Sequence, residues 1–159
     1  MEHANRRQFI KKSTTAVVVT SACLCGLGSL SGCATITKVG DTPAINPGSF
    51  SLSDNILTID LAKETTLREI GGSVKIRQAE LPDGIIIAHV ESNRFEIASL
   101  FCTHRGVEVE YNNAEHSFTC ASLGSSKYTM DGENISGPAK KPLKSYEAAL
   151  TNGNLVIRL

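Results

Sequence analysis

The chain has 159 residues, 16 Lys and Arg against 16 Asp and Glu, and is 41% hydrophobic and 20% charged. That length fits one domain with a short appendage, and the composition is that of a folded domain rather than a disordered chain. The balanced charge argues against a nucleic-acid binder, which shows a basic face. No apolar run beyond residue 40 approaches the ~20 residues needed to span a bilayer, which excludes a multispan membrane protein.

The first forty residues read as an address. Asn5-Arg6-Arg7-Gln8-Phe9-Ile10-Lys11-Lys12 resembles a twin-arginine export signal, and a weakly apolar stretch follows from Ala16 to Leu30. Leu30-Ser31-Gly32-Cys33 resembles a lipobox, in which small residues precede a cysteine that is lipidated and becomes the new N-terminus. Residues 1–32 are therefore expected to be a signal peptide, with Cys33 the lipidation site; the alternative is an uncleaved N-terminal anchor helix. Either way the domain is expected outside the cytoplasm, on the periplasmic or extracytoplasmic side, tethered to a membrane by lipid or anchor. Cleavage before Cys33 leaves 127 residues with 12 basic and 15 acidic side chains. Beyond Cys33, only Cys102 and Cys120 remain.

Residues 33–52, rich in Thr, Gly, Pro, Asn and Ser, read as a tether, and 53–159 as the domain. Ile56 to Leu61 alternates apolar and polar, a half-buried strand. Gly71-Gly72 marks a turn before Val74 to Arg77, and Pro82-Asp83-Gly84 a turn before the β-branched run Ile85 to Val90. Phe95 to Leu100, Val107 to Tyr111, His116 to Thr119 and Lys127 to Met130 follow. Tyr146 to Leu150 and Leu155 to Leu159 flank Asn152-Gly153, a two-residue hairpin signal. With no helical stripe of useful length, the expected class is small all-β, an antiparallel sandwich or partly open barrel.

The chemistry lies in Cys102-Thr103-His104, followed by Cys120 after fifteen intervening residues. This resembles the Rieske pattern, in which C-x-H and a later C-x-x-H hold a [2Fe-2S] cluster with two cysteines on one iron and two histidines on the other. Leu67 to Val74 resembles the family's opening turn and strand, and Phe95 to Phe101 the strand feeding the first cluster loop. Cys102-Thr103-His104-Arg105-Gly106 resembles its C-T-H-x-G core, and Gly137-Pro138-Ala139-Lys140-Lys141-Pro142-Leu143 the proline loop over the cluster. The likeness runs from about residue 55 to the C-terminus. It implies a Rieske-like β-sandwich with two cluster-binding loops, Cys102, His104 and Cys120 as metal ligands, and Gly106, Ser125, Tyr128 and Pro138 around the cofactor, with Ser126 an alternative to Ser125. It also implies a subunit of a periplasmic or membrane redox complex that passes electrons, rather than an enzyme on its own.

The departure falls on the fourth ligand. Three residues after Cys120 stands Leu123, which has no atom to bind iron, and shifting the alignment by one residue places Gly124 there instead. Val107 and Ser122 occupy the places of the family's optional bridging cysteines, and Arg105 stands where the family has an apolar residue. The expected site is thus degenerate. An outer iron would hold only His104 and would need water, a serine (Ser122, Ser125 or Ser126) or a partner's side chain. The alternative is no cofactor at all: two thiols brought close by the fold tend to pair in an oxidising compartment, and a Cys102–Cys120 disulfide would contribute about 3 kcal/mol. The protein would then be a structural or docking subunit. A thiol–disulfide redox protein ranks last, since the spacing is far from CxxC. His89 and His116 read as core or surface residues. Lys140, Lys141 and Lys144 read as a solvated basic face, with docking of an acidic redox partner as the alternative.

Overall fold

The computed structural model describes residues 40–159. The leader over 1–32, Cys33 and the first part of the expected tether lie outside the described residues. The described chain forms eleven strands and one turn of 3-10 helix, Thr65–Arg68. The all-β expectation holds: three antiparallel sheets carry the fold.

The first sheet joins β1 (Phe50–Ser53), β2 (Ile56–Asp60), β11 (Asn154–Arg158) and β10 (Ala148–Thr151), in the order β1-β2-β11-β10. The second is β3 (Ser73–Gln78), β4 (Leu81–Glu91) and β5 (Arg94–Ser99) in sequence order. The third runs through β6 (Val109–Asn112), β7 (Ser117–Cys120), β8 (Lys127–Tyr128) and β9 (Asn134–Ser136). Asn152-Gly153 forms the expected tight turn, pairing Thr151 with Asn154.

The β-branched run of β4 has a specific cause. Side chains alternate across a strand, and every residue from Gly84 to Val90 is buried. Ile85 and Ile87 enter a core with Leu57, Ile59, Leu67, Leu155 and Ile157. Ile86, Ala88 and Val90 enter a second core with Leu100, Phe118, Tyr128, Cys102 and Cys120. His89 takes the first side, stacks on Phe95 with ring centroids 4.4 Å apart, and is buried with neither ring nitrogen hydrogen-bonded.

Two expectations are corrected. Pro82-Asp83-Gly84 is not the turn: β4 begins at Leu81, which pairs with Gln78, so the turn is Ala79-Glu80. Gly84 instead takes a left-handed φ of 51° inside the strand, where a Cβ would lie 2.9 Å from that of Leu100. The second concerns the described end of the stretch read as a tether, which is packed on the domain. Thr42, Ile45 and Ser49 are buried, and Ala44 bridges to Lys75 in parallel. Few apolar residues mark this stretch, because its anchors are polar: Thr42 N donates to Glu110 (2.8 Å) and Asn46 N to Glu64 (2.9 Å).

Lys75 is the charged member of the buried run Val74 to Ile76 in β3. It projects to the face opposite Val74 and Ile76, where its ammonium bonds Glu110 and, at 3.2 Å, Glu108; Arg77 also pairs with Glu108. Burial alone would raise the Glu108 carboxyl, but the Arg77 and Lys75 contacts outweigh it and hold it below its ordinary range. With the Lys75 and Glu110 side chains only 6% and 10% exposed, removing one partner strands a buried charge. Lys75→Met is expected to cost about 3–5 kcal/mol in urea unfolding, and Lys75→Met with Glu110→Met to recover much of it. A single-variant loss below ~1 kcal/mol would contradict the burial of this pair.

Candidate metal centre

Three loops meet at one end of the second core. The first, residues 101–107, is closed by Gly106 N donating to Cys102 O and Cys102 N to Val107 O, both 2.8 Å. The second, 121–126, is closed by Cys120 N to Ser126 O at 2.8 Å. The third, 137–142, lies against both. Ala139 N donates to Ser126 Oγ (3.1 Å), and Thr103 Oγ1 donates to the Lys141 carbonyl (2.7 Å). Gly137 makes this approach possible: its φ is 89°, and a Cβ there would sit 2.6 Å from Ser126 Cα. Pro138 covers Gly124, whose added Cβ would meet the proline ring at 3.1 Å.

Cys102 and Cys120 are buried free thiols under these loops. Tyr128, fully buried on β8, brings its hydroxyl within 3.1 Å of Cys102 Sγ. The same hydroxyl accepts from Thr103 N (3.3 Å) and lies 3.2 Å from Thr103 Oγ1. The Cys120 thiol donates to Ser122 Oγ at 3.2 Å. Burial pushes the Cys102 thiol up, but hydrogen bonds from Tyr128, the His104 backbone N–H, Cys120 and Ser126 together bring it below its ordinary value. Cys120 moves the other way, raised by burial and by the neighbouring Cys102 sulfur against the opposing pull of Ser122. The two sulfurs are thus unequal, and the ionised form is favoured at Cys102.

The residues singled out from sequence divide. Cys102, Cys120, Tyr128 and Pro138 converge. His104, Arg105 and Gly106 lie exposed at the first apex, and Leu123 is fully exposed on the second. Ser125 turns its hydroxyl to the Ser122 carbonyl (3.2 Å), whereas Ser126 is the serine engaged with both Cys102 and the proline loop. Val107 and Ser122 are half-buried, and His116 is exposed in the β6–β7 turn. Thr103 was not singled out as structural. It matches the Thr of the C-T-H-x-G core, and its side chain links Tyr128 to the third loop.

A scan against family models matches the Rieske [2Fe-2S] domain over residues 59–147. The chain therefore belongs to the Rieske [2Fe-2S] family. Among individual relatives, it is 35% identical over 88 residues to the cytochrome b6-f complex iron-sulfur subunit of Chlorobaculum tepidum, covering 55% of this chain and 47% of that one. It is 40% identical over 57 residues to the putative Rieske 2Fe-2S iron-sulfur protein YhfW of Bacillus subtilis, covering 36% and 11%. The chain thus spans about half the length of the first relative, and far less of the second. The plasma-membrane Rieske protein of the cyanobacterium Synechocystis PCC 6803 shares the fold, with a TM-score of 0.50, 20% identity, and coverage of 60% of this chain and 93% of that one.

The family implies a [2Fe-2S] cluster. The two buried, hydrogen-bonded sulfurs suit the cysteine-held iron. Among the described residues no three His, Cys, Asp or Glu side chains converge as a metal site. Tyr128→Phe, in the reduced metal-free protein, is expected to raise the Cys102 pKa, because it removes the first of the hydrogen bonds that favour the thiolate. The check is thiolate absorbance against pH; an unchanged or lower midpoint would contradict the assignment.

Proposed function

We propose that this chain is an exported, membrane-tethered Rieske-type subunit of a redox complex, resembling a periplasmic electron-transfer subunit but with a degenerate cluster site. Cys102 and Cys120 are the ligands of one iron and His104 of the other, and Leu123 leaves the fourth position without a side-chain donor. The observation that carries this reading is the sulfur pair: two buried thiols beneath three interlocked loops, with a hydroxyl placed at each sulfur. When bound, the cluster supplies one-electron transfer. This chain's residues shape its pocket: Tyr128 and Ser126 favour a sulfur anion at Cys102, and Pro138 shields Gly124. The relatives named as cytochrome b6-f subunits support membership of a redox complex. The likeness of Asn5 to Lys12 to a twin-arginine signal and of Leu30 to Cys33 to a lipobox supports the location.

One observation favours a second reading. Leu123 is fully exposed and, among the described residues, no third His, Cys, Asp or Glu joins the sulfurs; on this reading the chain would serve without a cluster as a structural or docking module. A disulfide-donating oxidant of the exported compartment would then take two protons and two electrons from Cys102 and Cys120 and join their sulfurs. Native mass spectrometry of the protein, exported and isolated anaerobically, separates the two. A mass gain of two irons and two sulfides is the expected result. A mass two hydrogens below that of the reduced chain would overturn the electron-transfer reading in favour of the stapled module.

A further inference from the structure

A cavity of about 430 Å³ opens beside the core of Ile85 and Ile87. Leu61, Leu67, Phe95 and Leu150 form its apolar walls, and Arg68 and His89 are its ionisable residues. The β4–β5 and β10–β11 turns complete its lining, which contains no Asp or Glu. No residue of the loops 101–107, 121–126 or 137–142 borders it. Apolar walls with a few polar groups are the usual make-up of a small-molecule site, and the volume is in the range of such sites.

His89 has a polar capacity that its packing leaves unused. It shares the face of β4 with Ile85 and Ile87, on the side of Leu67. It is only 8% exposed and stacks flat on Phe95, with 13° between the rings, and neither nitrogen has a hydrogen-bond partner among the described residues. A neutral imidazole carries one donor and one acceptor. Burying both unpaired is a cost that an apolar ring in the same place would not incur. Arg68 is a second, separate sign. Its Nε donates to the Leu61 carbonyl at 2.8 Å and one Nη to that of Ala62, so its guanidinium is held by neutral acceptors alone. The ion pairs among the described residues use Lys63, Lys75, Arg77, Arg94 and Lys127 and leave Arg68 out.

We propose that this cavity binds a small apolar carboxylate. Its hydrocarbon body would lie on Leu61, Leu67, Phe95 and Leu150, and its carboxylate would accept hydrogen bonds from Arg68 and His89. A carboxylate offers acceptors on both oxygens, and a bond to a guanidinium is strengthened by the charge on both sides. The Phe95 ring favours an aromatic body, packed edge-on or offset. The cavity shares no residue with the candidate metal centre, so this inference and the electron-transfer reading fail separately.

The experiment uses the full chain in neutral detergent, with γ-phenylbutyrate as the probe and γ-phenylbutanol as its uncharged counterpart. Imidazole signals are followed by proton–carbon NMR, those of His89 being assigned by their loss in His89→Phe. The expected result is a saturable shift of the His89 signals by the acid, with His116 in the exposed β6–β7 turn unmoved, and binding of the alcohol weaker by about tenfold or more. Leu150→Trp, on the exposed edge strand β10, should fill the cavity and abolish the shift without lowering the melting temperature. No saturable shift of His89 by the acid would overturn the proposal. Equal affinities for acid and alcohol in the unaltered chain would also overturn it, as would full binding retained in a folded Leu150→Trp variant.

Discussion

Strand β4 has no solvent-facing side between Gly84 and Val90, so its alternate residues must fill two different cores at once. The core reached by Ile86, Ala88 and Val90 ends at Cys102, Cys120 and Tyr128. The thiols are therefore the last layer of a packed interior and inherit its rigidity. Packed interiors do not deform continuously, which is what a site needs if two sulfurs from different loops are to stay at fixed separation. Cross-strand bonds finish the work: Leu100 O receives Val109 N at 2.9 Å, and Ala121 N reaches Glu108 O at 3.0 Å. Both loops thus spring from neighbouring, paired backbone.

The polar network beneath the loops serves the same end from the other side. Lys75 leaves the central sheet to pair with Glu108 and Glu110, which flank the start of β6 just after the first loop. Thr42 joins in, donating its backbone N–H to Glu110 while its hydroxyl accepts from Tyr111 N at 3.2 Å. A buried ion pair is poor evidence of net stability but good evidence of a specified arrangement. Here it registers the second sheet, the third sheet and the described N-terminal stretch against one another.

Much of this was legible in the sequence because the signals were local. Alternation exposed β2, Asn152-Gly153 exposed the last hairpin, and the Cys-x-His spacing with the proline loop exposed the family. Three things were not legible. Phe50–Ser53 is only four residues of alternation inside a Gly-, Pro- and Ser-rich stretch, and Asn134–Ser136 is short and mostly polar, so pairing rather than composition marks them as strands. Gly84 resembled a turn glycine because Pro-Asp-Gly is a turn sequence, yet its left-handed backbone serves close approach to Leu100. Ser126 was indistinguishable from Ser125 until the loops were folded together, and the link Thr103 makes to Lys141 joins residues 38 apart in the chain. Of the two serines left open, Ser125 and Ser126, the contacts fall on Ser126.

The central claim is that the pocket is a Rieske pocket short of one donor, at Leu123. Restoring the imidazole tests it most directly: Leu123→His, compared with the unaltered chain for iron and acid-labile sulfide per protein after identical anaerobic isolation. The account predicts that the variant holds two irons and two sulfides per chain, with occupancy above that of the unaltered protein and greater resistance to chelators. Occupancy and chelator resistance unchanged by the substitution, in a variant with unaltered unfolding behaviour, would contradict it, because position 123 would then not be the missing ligand.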